Sequence, residues 1–409
     1  MNSLEYYCLS SKTGAVEENP LKALPSKWDA WNELVDRLPE LSKNKTLRKE
    51  IESLPLLDLD GLKSHKELRL AHKILSFLSS VYVWQDGEGG ETESLPVQIA
   101  KPLLQVSHIL GVQPILTNED LVLSNCFLST LPKEEQDLSF LQSIHIPTYH
   151  RSWETFITLS GECEIFFAPI LLEIMNAMEA QDPLNESIII QCLENIAKLF
   201  VPFRNSLKNF YGKLNSEEFY VDLRPILCGW SHGKLKEKGL IYETNTLQEN
   251  NNIEKTISIC PFSGQKYTNN VEQRKCIGAS AAQSITIQTC DAFFQIKHDP
   301  EDEKFFRNMQ TYMIKEHRQF LEDLAVHSRI RSITAESKSS RMKTAYNQCL
   351  QSLWNFRNAH ISLVKRFIIQ PSQNAEAKIK QLDVKGTGGQ CLNVFLQRVR
   401  DATLSASFD

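Results

Sequence analysis

The longest uninterrupted helical pattern in the chain covers residues 342–367, which contain neither glycine nor proline. Tyr346, Leu350, Leu353, Ile361, Val364 and Phe367 recur at three- and four-residue spacing, and the seam they draw passes through Arg357 and His360. The spacing predicts one helix that turns a guanidinium and an imidazole, about one turn apart, towards a core. Burying both is costly unless each finds a partner. A lone core histidine most often bonds a backbone carbonyl. With an arginine beside it, a haem answers both needs, because its iron takes an imidazole nitrogen and its propionates take a guanidinium.

Other stripes supply the elements around this one. Residues 187–211 place Ile189, Leu193, Ile196, Phe200, Phe203, Leu207 and Phe210 on one face, with Pro202 expected to kink the helix. Residues 303–324 predict a second long helix with Phe306, Met309, Tyr312, Met313 and Phe320 inward, and residues 390–404 a last one. Together with the His360 helix these are the material of a bundle that can bury a cofactor between facing helices. Towards the N-terminus the patterns are shorter: helices over 25–41 and 47–54, one over 62–82 with Asp58 as a candidate cap, and one over 97–110 stopped by Gly111. Residues 131–161 show no sustained period and read as a connection between two domains, with room for short strands.

Three segments break the periodicity. In Glu218-Phe219-Tyr220-Val221-Asp222-Leu223-Arg224-Pro225 the proline has no N–H for the carbonyl of Val221, so the helix must bend or end beside Arg224, freeing its side chain for a cavity. Residues 278–284 are small almost throughout, as needed where backbone passes close to another helix or to a flat cofactor. Lys385-Gly386-Thr387-Gly388-Gly389 reads as a mobile loop; it lacks the phosphate-loop pattern and a preceding strand, which argues against nucleotide binding. Residues 244–275, rich in Asn, Gln, Glu and Lys, read as a surface excursion, partly disordered.

Composition narrows the class. At 409 residues two domains are the natural expectation, and 42% hydrophobic with 23% charged residues is an ordinary soluble composition. A net charge of −5 with no Lys/Arg run argues against nucleic acid. The N-terminus lacks the pattern of an export signal, and the longest uncharged apolar run, residues 165–172, is far shorter than a membrane span. A cytoplasmic protein without a membrane partner is expected. The ten cysteines are scattered and include no C-x-x-C pair, which argues against zinc and c-type haem; a disulfide framework is equally unexpected.

Read in order, residues 34–39, 63–72, 82–84, 219–230, 239–243, 279–284, 357–360 and 385–389 resemble the indoleamine 2,3-dioxygenase family, haem enzymes that open the indole ring of tryptophan. The resemblance covers nearly the whole chain. It implies a mainly α protein: a large helical haem-binding domain over 156–409, expected to be all-helical, and a smaller, mostly helical N-terminal domain over 1–155 covering the distal haem side. By position, His360 resembles the haem ligand, Arg357 the arginine on the propionate side, and Asp291 a carboxylate near them. Phe219 and Arg224 match the distal phenylalanine and the arginine that holds the substrate carboxylate, with Tyr220 a second aromatic. Ser280 and Ala281 match the stretch passing haem and substrate, and Thr387 the threonine of a loop closing over the amino acid.

The implied ligands are haem b, ferrous when active, L-tryptophan or a related indoleamine, dioxygen and an electron donor, in a monomer that forms N-formylkynurenine within the kynurenine pathway. Four features depart from the family: Asn118 follows Pro114-Ile115-Leu116-Thr117 where an aromatic is frequent, a distal serine falls near Pro169, Ala279 replaces a glycine, and residues 244–275 are inserted. An alternative of another class is an oxygen-binding, myoglobin-like haem protein with little turnover, since some mollusc relatives have that role and residues 84–90 resemble invertebrate members.

Overall fold

In the computed structural model, which describes residues 1–87, 89–128, 140–230, 232–244, 257–259, 266–268, 271–374 and 392–409, the amphipathic patterns become helices. Three short ones open the chain, α1 (Asp29–Asp36), α2 (Leu38–Asn44) and α3 (Leu47–Glu52), followed by α4 (His65–Trp84). Ser64, not Asp58, starts α4. Its hydroxyl accepts from the Glu67 N–H while the Glu67 carboxylate accepts from the Ser64 N–H, a capping box worth about 1 kcal/mol. Asp58 is engaged elsewhere: its carboxylate accepts from Lys27 and its carbonyl from the indole N–H of Trp28. A short β1 (Ser94–Leu95) leads into α5 (Val97–Leu110), which ends at Gly111 in the left-handed region, φ +69°, as its sequence predicts.

The strongest departure from the sequence pattern follows. After a hairpin of β2 (Cys126–Leu128) and β3 (Leu141–Ser143), the supposed connection becomes α6 (Arg151–Glu179). Thr155, Thr158, Ser160, Gly161 and Pro169 interrupt its apolar period, and tertiary packing supplies what periodicity lacks. A Cβ on Gly161 would lie 2.8 Å from Leu141 Cδ1 and 3.0 Å from Cys126 Sγ, so glycine lets the hairpin lie directly on the helix. The helix runs through residues 155 and 156, so the proposed domain division falls inside it. By length and composition α6 could span a membrane, contrary to the short apolar run the sequence suggested. More than half of that window is buried against protein, as in a core helix.

Next come α7 (Glu186–Ser206), which carries Pro202 and tightens into a 3₁₀ turn at Leu207–Phe210, and α8 (Ser216–Glu218). A π-helical turn, Phe219–Leu223, joins α8 to α9 (Arg224–Leu227), the bend that Pro225 requires. Beyond α10 (Leu235–Lys238) lie four strands, β4 (Leu240–Glu243), β5 (Ile257–Ile259), β6 (Lys266–Thr268) and β7 (Val271–Arg274), in a sheet of order β1-β4-β7-β6-β5. β1 runs parallel to β4 and the other pairings are antiparallel, with Leu240 opposite Arg274. These strands correct the expectation that residues 156–409 are all-helical, and the excursion over 244–275 contributes three of them. β4 alternates buried Leu240 and Tyr242 with part-exposed Ile241 and Glu243, too short a run to outweigh its polar flank in the sequence.

The last third contains α11 (Ile285–Phe294), α12 (Pro300–Gln310), α13 (Lys315–His327), α14 (Ile330–Glu336), α15 (Ser340–Val364), α16 (Gln370–Asn374) and α17 (Leu392–Leu404). The expected single helix over 303–324 is therefore two. At the turn, Thr311–Ile314, the backbone tightens to i→i−3 bonds, Arg318 donates to the carbonyls of Gly111 and Met313, and the Tyr312 hydroxyl accepts from the Ile277 N–H at 2.7 Å. α6 packs on α7, α7 on α15 and α15 on α17, with Phe203 stacked on Phe356 at 4.1 Å between ring centres.

Candidate active site

The kinked π turn, the small-residue loop 278–284 and helices α6, α7, α15 and α17 leave a space between them. Two adjoining cavities, of about 1360 and 1040 Å³ with the open solvent at their mouths included, share Phe156, Leu227, the stretch from Ala279 to Ala282, His360 and Leu363 as walls. Both are mainly apolar. His360 is only part-covered by protein and faces this space. Among the described residues neither of its ring nitrogens makes a hydrogen bond. Desolvation lowers its pKa to about 4, so the ring is neutral near pH 7 with a lone pair available to an electrophile or metal.

One turn back, Arg357 is fixed from two sides. Its Nη2 donates to Asp291 Oδ1 at 2.6 Å, and its Nη1 donates to the Val399 carbonyl at 3.1 Å and to the Thr403 hydroxyl at 2.5 Å. The charge of Arg357 is thus balanced by a protein carboxylate, where the sequence pattern suggested a haem propionate. Burial opposes the charge on Asp291, but Arg357 and His298, whose Nε2 is 3.0 Å from Asp291 Oδ2, outweigh it and hold the carboxyl below its ordinary range. Arg357 Nε is buried without a hydrogen-bond partner, one donor left over.

The remaining walls are built differently. Phe219 packs on Phe156 and Phe367, with ring centres 5.1 and 6.2 Å apart, and is almost fully buried. Arg224, the first residue of α9, is 2% exposed, lines the cavity that His360 also lines, and stacks its guanidinium over the Tyr220 ring at 5.0 Å. Tyr220 itself lies behind Arg224 and lines neither of these cavities, because the π turn sends consecutive side chains apart. Ser280 caps a 3₁₀ turn, Ala281–Gln283, and the Gln283 amide donates to the Gly278 carbonyl at 2.8 Å, holding Ser280, Ala281 and Ala282 along the wall. Thr387 and its loop lie outside the described residues.

Two lining residues escape the sequence pattern. Ser160 and Glu164 lie with Phe156 and Cys163 at i, i+4, i+7 and i+8 along α6, one face that can be seen only once α6 is known to be a helix. The Glu164 carboxylate accepts from the hydroxyls of Thr286 at 2.6 Å and Ser284 at 2.9 Å, and burial raises its pKa. Pro169, the position suggested for a distal serine, is exposed and lines neither cavity; Ser160 supplies the hydroxyl there. Asn118 also lines the wall.

A haem fits these residues. An apolar slot bounded by small side chains suits a flat macrocycle, His360 has uncommitted ring nitrogens, and Arg357 Nε offers a donor for a propionate. The arrangement defines a helical-bundle protein built to hold a redox cofactor beside a pocket that the buried Arg224 lines. The profile of the indoleamine 2,3-dioxygenase family matches residues 3–406, and the chain belongs to that family of haem-dependent dioxygenases. It is 32% identical to indoleamine 2,3-dioxygenase 2 of Mus musculus over 410 residues, covering 99% of this chain and 95% of the relative. The corresponding human protein is 31% identical over 99% of this chain and 95% of its own length. A myoglobin of the abalone Haliotis madaka is 29% identical, over 98% of this chain and 97% of the relative.

Proposed function

We propose that this chain is a dioxygenase that opens the indole ring of L-tryptophan to N-formylkynurenine, using haem b held by His360 in the ferrous state. The observation that carries the proposal is the shared cavity, in which a neutral, unbonded imidazole and a buried guanidinium open onto one apolar space. Haem, when bound, supplies the iron chemistry of dioxygen. The chain's own residues do the rest. Arg224 presents a planar fork that matches the substrate carboxylate and fixes the direction of the amino acid. Phe219 and Phe156 give the indole apolar faces and keep water away. Ala281 and its neighbours add little bulk, leaving room for a bicyclic ring. Asp291 and Thr403 hold Arg357, and through α15 they set the pitch of His360.

Dioxygen and an external electron donor are the further reactants, and the protein acts as a cytoplasmic monomer, consistent with burial of the apolar face of α6 inside the fold. Thr387 is proposed to close over the bound amino acid. To test this reading, the protein is reconstituted with haem, reduced, and assayed for N-formylkynurenine from L-tryptophan in air-saturated buffer. Turnover is expected, and Arg224→Ala should lower kcat/KM by roughly 10²-fold or more while keeping haem, the scale of losing a buried charged hydrogen bond. Unchanged kinetics in Arg224→Ala would remove its role with the carboxylate.

The abalone relative supports a second reading, oxygen binding with little turnover. A long-lived ferrous-oxy spectrum unaffected by tryptophan, with no product, would favour it.

A further inference from the structure

Away from the cavity, three chemically distinct side chains converge from distant parts of the chain. The first turn, Leu4–Tyr7, packs on α13 and carries Cys8 to the start of α4, where His65 is the first residue. Glu316, in the first turn of α13, completes the group. Cys8 Sγ lies 3.9 Å from His65 Nδ1, and Glu316 Oε2 lies 3.5 Å from His65 Nε2. One ligand atom from each residue lies within 4.8 Å of the other two. His65 Nε2 and Glu316 Oε2 are covered by protein yet make no hydrogen bond. Cys8 holds a left-handed backbone, φ +58°, uncommon for a residue with a Cβ, and it is tied back by its own N–H to the Glu5 carbonyl and by the Leu9 N–H to the Leu4 carbonyl. Its position is therefore set by the fold.

We propose that Cys8, His65 and Glu316 form a binding site for a divalent transition-metal ion of the zinc type, which pins the N-terminal turn to α4 and α13. The donor set selects the ion: a thiolate and an imidazole suit zinc, whereas calcium or magnesium would call for oxygen ligands throughout. Tetrahedral zinc with bonds near 2.0–2.3 Å, taken through one nitrogen of His65, brings its ligand atoms to about 3.4–3.6 Å from one another, so atoms up to 4.8 Å apart have to close by about 1.2–1.4 Å. Three protein ligands leave the fourth position to water. On binding, the metal displaces the proton of the Cys8 thiol and that of the His65 ring, both passing to solvent, and no oxidant or reductant is involved. Without metal, Cys8 and Glu316 raise the His65 pKa to about 9, so near pH 7 the ring carries the second proton that a metal has to displace. The absence of any C-x-x-C pair argued against zinc, but a spacing rule sees only ligands that are close in sequence.

The test uses the tag-free, haem-loaded protein. Equilibrium dialysis against Zn²⁺ with metal analysis should give one zinc per chain beyond the haem iron, and Cys8→Ser and His65→Gln should each weaken binding by at least roughly tenfold. Zinc should also slow alkylation of Cys8 by iodoacetamide, followed by peptide mass spectrometry on the unmutated chain, so this result stands even if a variant misfolds. Equal alkylation with and without zinc, or undiminished zinc binding in Cys8→Ser, would overturn the site. Neither readout depends on tryptophan turnover or on His360.

Discussion

Helices α4 and α15 both carry a polar seam through an apolar face, and they use it in opposite ways. On α4, His72 commits both ring nitrogens, Nδ1 to Asp120 Oδ1 at 2.7 Å and Nε2 to the Gln113 carbonyl at 3.2 Å. Its neighbours are equally engaged: Arg69 pairs with Glu119, and Lys73 donates to the Ser124 carbonyl at 2.8 Å. On α15, Arg357 is paired but His360 is not, and the space beside it is empty of protein. A closed polar network specifies packing, whereas one left open on a cavity wall specifies a ligand. The comparison separates a structural histidine from a functional one by an observable that neither burial nor helical position supplies.

Substitution of each histidine should split stability from binding. His360→Ala is expected to abolish stoichiometric haem uptake, followed by the Soret band on reconstitution, with an unfolding free energy within about 1 kcal/mol of the unmutated apoprotein. His72→Leu should do the reverse, keeping haem uptake but losing roughly 3–5 kcal/mol in urea unfolding because Asp120 is left buried without its partner. If His72→Leu lost haem and His360→Ala kept it, the contrast between the two helices would be reversed. Asp291→Ala leaves Arg357 buried beside two neutral acceptors and should also cost about 3–5 kcal/mol. Asp291→Ala combined with Arg357→Met should cost clearly less than the sum of the single changes, measured as a double-mutant cycle.

Smaller effects sharpen the geometry. Gly161→Ala pushes a methyl group against Leu141 and Cys126, and should cost about 1–3 kcal/mol, read from the urea midpoint, without altering haem stoichiometry.

The smallest effect concerns pH. The folded His360 pKa, about 4, lies below its ordinary value of 6.5, so between those values the unfolded chain takes up the proton first. Stability falls as pH drops through that window and is unaffected by this group above it. For haem binding the same shift predicts near constancy: between pH 7.5 and 5.5 the affinity should change by less than about twofold, against a loss of about tenfold for an unperturbed imidazole. A tenfold loss at pH 5.5 would show that the ring titrates normally.

Long, uninterrupted stripes were legible from the sequence because one buried face imposes its own period. Residues 97–110 and the helix of His360 emerged with nearly the boundaries the pattern predicts, and Pro225 foretold the bend beside Arg224. α6 was not legible, since its small and hydroxylated residues face a hairpin and a cavity that do not reward apolar periodicity. Ser160 and Glu164 were hidden with it. The partners of the turn at Thr311–Ile314, Arg318 and Ile277, lie outside it in the chain.

The sequence by itself determined the family, the predominance of helix and the pairing of Arg357 with His360 on one seam, because these follow from local spacing and from motifs preserved in order. Tertiary structure alone decided that Asp291 neutralises Arg357, that His360 is left open to a cavity, and that Cys8, His65 and Glu316 meet. Hydrogen bonding and charge compensation act over a few ångströms of space, and those distances exist only after the chain has folded.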